Sequence, residues 1–115
     1  MLCLFPYWEQ AIYAIMRVVA RNVLVVFWDQ HPEMKVSLER WYRVTKAAHW
    51  ISMDEVQAAA PKAKVLSRER VRFEVAGGNY RLVVAFDFRR QIAFVKFIGT
   101  HAQYDGIDAL TVSRF

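Results

Sequence analysis

Cysteine is all but missing from this chain of 115 residues: Cys3 stands alone, so no intrachain disulfide can form and a packed core must supply the stability. A single thiol fits a reducing compartment, and a cytoplasmic protein is expected. The spacings that mark metal sites are absent as well. No CxxC, His-x-x-x-His or acidic-loop pattern occurs, and His31, His49 and His101 lie far apart, so neither a metal nor a cofactor is expected. Long uncharged apolar runs are lacking too. The greasiest stretch, Ala11–Trp28, is interrupted by Arg17, Arg21 and Asn22, whereas a membrane span needs about 20 largely apolar residues. Glu9 is the only charge before Arg17, so the basic leader of a signal peptide is missing. No repeat or low-complexity tract occurs. Acidic residues are the minority charge, 11 against 16 Lys plus Arg, which gives a net charge of +5 and a pI of about 9.7. That balance favours an acidic partner, nucleic acid first and an acidic protein surface second.

What is present is apolar. Hydrophobic residues make up 56% and aromatics 15%, enough for one domain with its own core and too much for disorder. Met1 to Ile15 are apolar and aromatic without clear periodicity, and Met16 then opens MRVVA, a short strand-like run. Residues 1–15 therefore read as an N-terminal extension, the product of an early start or a helical cover for an apolar patch, ahead of a single domain over residues 16–115. Asn22 is placed to cap a helix running to about Gln30, with Val23, Val26 and Phe27 as its apolar stripe. His31-Pro32 ends it. A second helix is expected from about Glu33 to His49, its stripe Val36 or Ser37, Arg40-Trp41, Val44 and Ala47-Ala48, and the two form an αα-hairpin. Ser52 and Glu55 make a capping box for a short helix that Pro61 stops. Lys62 to Arg70 is a basic connector carrying Lys62, Lys64, Arg68 and Arg70. Strands follow at about Arg70–Ala76, Asn79–Phe88 and Gln91–Ile98, with Gly77-Gly78 at the first turn. The tail from Ala109 shows no pattern.

Parity fixes an expected register. A two-residue loop at Gly77-Gly78 sets Val75 opposite Tyr80, Phe73 opposite Leu82 and Glu74 opposite Arg81, making one face wholly apolar. Around Arg89-Arg90, the same reasoning sets Leu82 opposite Phe97, Val84 opposite Val95 and Lys96 opposite Val83. One face then collects Arg72, Glu74, Arg81 and Lys96, with His101 and Tyr104 following at the rim on the same side of a turn. Val83, Ala85, Ile92, Phe94 and Ile98 share that face, so something must cover part of it. The residues alone establish an anion-binding surface with titratable groups. An ordinary cross-strand pair of Glu74 with Arg81, worth roughly 0.2–1 kcal/mol, is the plainer account of the same charges. The aromatics Phe27, Trp28, Trp41, Tyr42 and Trp50 read as core or partner-facing residues, and His31 and His49 as helix-end residues.

The segments GGNYRLVV and FVKFIGTHAQYD resemble the HigB toxin family of the RelE superfamily, and MRVVARNVLVVFWDQHPE, the Trp41-Tyr42 pair and WISMDEVQAAAP agree with it. The resemblance covers Met16 to about Asp108. It implies an α+β, RelE-like fold: an N-terminal strand, a helical hairpin, then a small antiparallel sheet with a short C-terminal helix or tail. It implies a toxin of a type II toxin–antitoxin system that cleaves messenger RNA on the translating ribosome without a metal. A HigA-type helix-turn-helix antitoxin is the implied partner. Arg81 matches the superfamily's phosphate-stabilising arginine, with Lys96 in support. His101 and Tyr104 match the THxxYD segment and are candidates for proton transfer, their acid and base roles unassigned. Arg72 aligns with a basic strand position. Glu74, where some relatives are basic, is a candidate base or a residue orienting Arg81. Arg70, Lys62, Lys64, Arg89 and Arg90 are candidate contacts to RNA phosphates. Some RelE-like proteins inhibit DNA gyrase instead, but His101 and Tyr104 would be superfluous there. The alternative reading is a non-catalytic or degenerate RelE-like binding protein using the same basic face.

Overall fold

The computed structural model describes residues 16–115, and the expected N-terminal extension lies outside them. The order is β1 (Arg17–Val19), α1 (Arg21–Gln30), a 3-10 turn over Pro32–Met34, α2 (Lys35–Ala47), α3 (Met53–Ala59), β2 (Lys64–Val65), β3 (Arg70–Val75), β4 (Tyr80–Asp87), β5 (Ile92–Thr100) and α4 (His101–Asp105). The strands form one sheet in the order β1-β5-β4-β3-β2. β1 runs parallel to β5, so the sheet is mixed rather than wholly antiparallel. The connector from Lys62 contributes β2, a two-residue edge strand that pairs Lys64 with Arg72.

The helical hairpin forms, but its buried stripes are rotated from those expected. α1 buries Leu24 and Trp28, and α2 buries Leu38, Trp41 and Thr45, whereas Val26, Val36 and Val44 are 57%, 78% and 49% exposed. Leu24, Trp28, Leu38 and Trp41 take the core positions because each removes more apolar area from water than a valine does. Asn22 does not cap α1. Ala20 holds the cap position, and its carbonyl accepts the Val23 N–H at 3.1 Å without help from a side chain. Pro32 opens the turn after α1, where its missing N–H costs nothing. Ser52 does cap α3, accepting from the Glu55 N–H at 3.4 Å, while Glu55 reaches back to the Ile51 N–H at 2.9 Å.

The β3–β4 register is the expected one: Val75 opposite Tyr80, Phe73 opposite Leu82, Glu74 opposite Arg81. Between β4 and β5, Val84 faces Val95 as expected, but Leu82 faces Ile98 and Val83 faces Phe97. A bulge between Val83 and Val84 leaves Lys96 as the extra residue of β5. One inserted residue inverts the parity beyond it. Ile98 therefore joins the core against the helices, and Phe97 moves to the other face. That other face is covered too. Val83 and Phe97 are both fully buried there, beneath α4 and the C-terminal tail.

Candidate active site

Three devices assemble the site at the head of the sheet. The first is α4. Thr100 Oγ1 accepts from the Gln103 N–H at 3.1 Å, and Gln103 Oε1 accepts from the Thr100 N–H at 2.8 Å, a complete capping box in the T-H-A-Q of the sequence. The His101 N–H donates to Asn79 O at 3.1 Å, tying α4 to the β3–β4 turn. The second is Gly99, opposite Arg81. A Cβ there would lie 2.6 Å from Gln103 Oε1 and 2.7 Å from Phe97 Cζ, so only glycine lets cap and ring share the space. The third is the bulge, which turns Phe97 and Lys96 toward the tail.

A continuous chain of contacts crosses this face. Glu74 Oε2 accepts from Arg72 Nη2 at 3.2 Å. The Arg72 guanidinium lies 5.8 Å from the Tyr104 ring, Tyr104 tilts against Phe97 at 6.3 Å, and Arg114 stacks over Phe97 at 5.0 Å. The Lys96 ammonium sits 5.3 Å from the Phe94 ring and 3.4 Å from Ser113 Oγ. On the outer side of α4, His101 Nδ1 is 3.2 Å from Asp105 Oδ2, with both side chains more than half exposed. One turn apart on α4, the two side chains lie within ion-pair distance of each other.

Arg81 departs from its expected partner. Although it lies opposite Glu74, the two do not form an ion pair. Arg81 is only 8% exposed, its Nη1 donates to the carbonyls of Gly78 and Tyr80, and its Nε is buried without a partner. Gly78, at φ +91°, shapes the turn that receives it. With Arg81 turned to the backbone, Glu74 pairs along its own strand with Arg72. The turn side of the molecule carries a separate pair. Tyr80 Oη donates to Glu33, which holds the Glu33 carboxyl below its ordinary value and the Tyr80 phenol above its own.

The remaining candidates spread out. Lys64 shares the face with Arg72 across the β2–β3 pair, and exposed Lys62 precedes it. Arg89 and Arg90 are at the opposite end of β4 from Arg81. Arg90 pairs with Asp87 at 2.7 Å, and that hydrogen bond holds the Asp87 carboxyl below its usual range. Arg70 Nη1 donates to Ala109 O at 3.0 Å and Val112 O at 2.7 Å, so this guanidinium holds the tail. Sequence reasoning missed Asp105, Phe97 and Arg114. Asp105 was legible, four residues after His101 on a helix; Arg114 had no local signal.

A family model for HigB toxins, described as the RelE-like toxic component of a toxin–antitoxin system, matches residues 34–107. The chain belongs to the HigB toxin family. The matched span runs from the helical hairpin through α4 and takes in Arg72, Glu74, Arg81, Lys96, His101 and Tyr104. The tail that carries Arg114 lies beyond it. No curated protein matches the chain. Membership makes this HigB toxin one half of a toxin–antitoxin pair, so an antitoxin is its implied partner. Among the described residues, no helix is long and apolar enough to cross a membrane, and no group of three or more His, Cys, Asp or Glu is placed to hold a metal ion. A cavity of about 280 Å³ lies on the helical side, lined by Arg40, Trp41, Thr45, Trp50 and Phe73; of the contact chain above, it shares only Glu74.

Proposed function

We propose that this HigB toxin is a metal-independent endoribonuclease that cuts messenger RNA on the translating ribosome, and that a HigA-type helix-turn-helix antitoxin neutralises it. The observation that carries this reading is the His101–Asp105 pair at 3.2 Å, on a capped helix at the rim of a face bearing Arg72, Tyr104 and Lys96. RNA supplies its own nucleophile. The 2′-oxygen loses its proton and bonds to phosphorus, the bond from phosphorus to the 5′-oxygen breaks, and that oxygen takes up a proton. The products are a 2′,3′-cyclic phosphate and a 5′-hydroxyl, with no water consumed. The His101 imidazole, its Nδ1 3.2 Å from Asp105 Oδ2, serves one of the two proton transfers. The Tyr104 hydroxyl serves the other, on a ring held between Arg72 and Phe97. Arg72 and Lys96 face the charge that develops on the phosphorane, and Arg81 adds a fixed positive charge behind them. Glu74 restrains Arg72. Lys62, Lys64, Arg89 and Arg90 meet phosphates of flanking or ribosomal RNA.

Expression of the chain should arrest growth. His101→Ala, at an exposed position, should relieve the arrest and slow cutting by about 10²–10⁴-fold, the usual worth of a positioned acid or base, while its thermal melt stays that of the parent. Undiminished toxicity in a folded His101→Ala protein would remove the assignment. One observation favours a second reading, a degenerate toxin that binds RNA without cutting it. Arg81 spends Nη1 on backbone carbonyls, and Glu74 neutralises Arg72, so less positive charge is free than the sequence suggests. In that reading Lys96→Glu weakens binding and His101→Ala changes nothing.

A further inference from the structure

The C-terminal tail is built into the sheet face rather than trailing from it. Asp108 reverses the chain: its Oδ1 accepts the Leu110 N–H at 3.0 Å, and its carbonyl accepts the N–H groups of Thr111 and Val112 at 3.2 and 2.9 Å. Arg70, some forty residues earlier, then grips two carbonyls of the returning segment, Ala109 and Val112, with one guanidinium nitrogen. The bulge completes the attachment. Lys96, the unpaired residue of β5, offers its carbonyl to the Arg114 N–H at 3.0 Å, and its ammonium meets Ser113 Oγ at 3.4 Å. A bulge leaves a backbone group free of the ladder, and here the tail takes it up.

These contacts deliver one more cation. The Arg114 guanidinium lies over Phe97, 5.0 Å from the ring centroid, and Phe97 is the ring against which Tyr104 packs at 6.3 Å. Its neighbours on the face are committed elsewhere: Arg72 to Glu74, Arg70 to the tail carbonyls, Arg81 to the turn. Among the described residues, no carboxylate forms an ion pair with Arg114, and its side chain is exposed. A guanidinium held over an aromatic face and spending no N–H on a carboxylate keeps donors for a phosphate.

We propose that Arg114 is a phosphate-binding residue of the RNA site and that Arg70 is a positioning residue that acts through it. The proposal rests on the RNA-directed reading above but not on cleavage. It assigns Arg70 a different part from direct RNA contact.

The test uses the purified full chain and a short single-stranded 2′-O-methyl RNA, whose blocked 2′-oxygen cannot attack. Binding is followed by fluorescence anisotropy across a salt series, with a thermal melt of each variant. Arg114→Ala should lower the salt slope by about 0.7, one phosphate contact on a single strand, or about fivefold in affinity per tenfold change in salt. Arg114→Lys should restore most of the slope, which a merely structural role would not allow. Arg70→Ala should lose as much as Arg114→Ala, and the double variant no more than either. An unchanged slope in folded Arg114→Ala overturns the phosphate role, and a further loss in the double variant overturns the positioning role. A parent protein that binds this RNA with the expected variant pattern but leaves unmodified messenger RNA intact on translating ribosomes sinks the nuclease reading alone. A parent protein that does not bind it overturns the proposal and leaves the reading of cleavage on the ribosome to the growth and cutting assays above.

Discussion

Single atoms decide what Gly99 can be. Its missing Cβ is the space in which a fully buried ring and a helix cap meet, and Phe97, at 0% exposure, has nowhere to retreat. Gly99→Ala should therefore cost about 1–3 kcal/mol, the usual penalty of overpacking, read as a lowered urea midpoint. Tyr80 and Glu33 make a different prediction. Their hydrogen bond lowers the Glu33 carboxyl below 4.5 and raises the Tyr80 phenol above 10.0. A depressed acid stabilises above its unfolded value and loses that contribution as pH falls through the folded one. A raised phenol stabilises below its unfolded value and loses that contribution as pH climbs through the folded one. The gap in denaturant midpoint between parent and Tyr80→Phe should thus be widest near neutrality and shrink toward both extremes. No gap at any pH would mean that ring packing against Phe27 and His31, both 5.8 Å from the Tyr80 ring and kept by phenylalanine, is all that the tyrosine contributes.

Elements follow their largest side chains. α2 faces the core with Leu38 and Trp41, while Val36 is 78% exposed. Leu38→Ala should cost about 2–5 kcal/mol in urea unfolding, and Val36→Ala should stay within about 0.5 kcal/mol of the parent. Equal costs would return the stripe to Val36. The same comparison shows what was legible. Hairpin parity gave the β3–β4 register correctly because Phe73, Val75, Tyr80 and Leu82 alternate without interruption. It failed between β4 and β5 because a bulge leaves no mark on local alternation: nothing in V-K-F-I announces that Lys96 is the extra residue. The helical stripes were right in part: Trp41 is buried and Val23 and Phe27 pack against the core, but in α2 Thr45, a polar residue at 1% exposure, hides the rest of the buried spacing. The T-H-A-Q capping box went unread in the sequence although its residue types are those of the motif, and it fixes where His101 and Tyr104 begin their turn.

The whole molecule divides the sheet between two coverings. Helices α1 to α3 bury one face, and α4 with the tail closes over the other, leaving Arg72 against Tyr104, Tyr104 and Arg114 against Phe97, and Lys96 against Phe94. The tail's part was invisible beforehand because its anchors, Arg70 and the Lys96 carbonyl, are set by the sheet and not by neighbours in sequence. A net charge of +5 favours a polyanionic partner over long range, and the proposed chemistry falls to a few groups at the rim of this face. The central claim is that those groups cut RNA by attack of its own 2′-oxygen. The most direct measurement is the chemistry of the ends left when purified toxin acts on a messenger RNA under translation, without added divalent metal beyond what ribosomes require. The account predicts new fragments ending in a 2′,3′-cyclic phosphate, each followed by a 5′-hydroxyl, and none with His101→Ala. Fragments bearing 5′-phosphates, or intact messenger RNA beside halted translation, would contradict it.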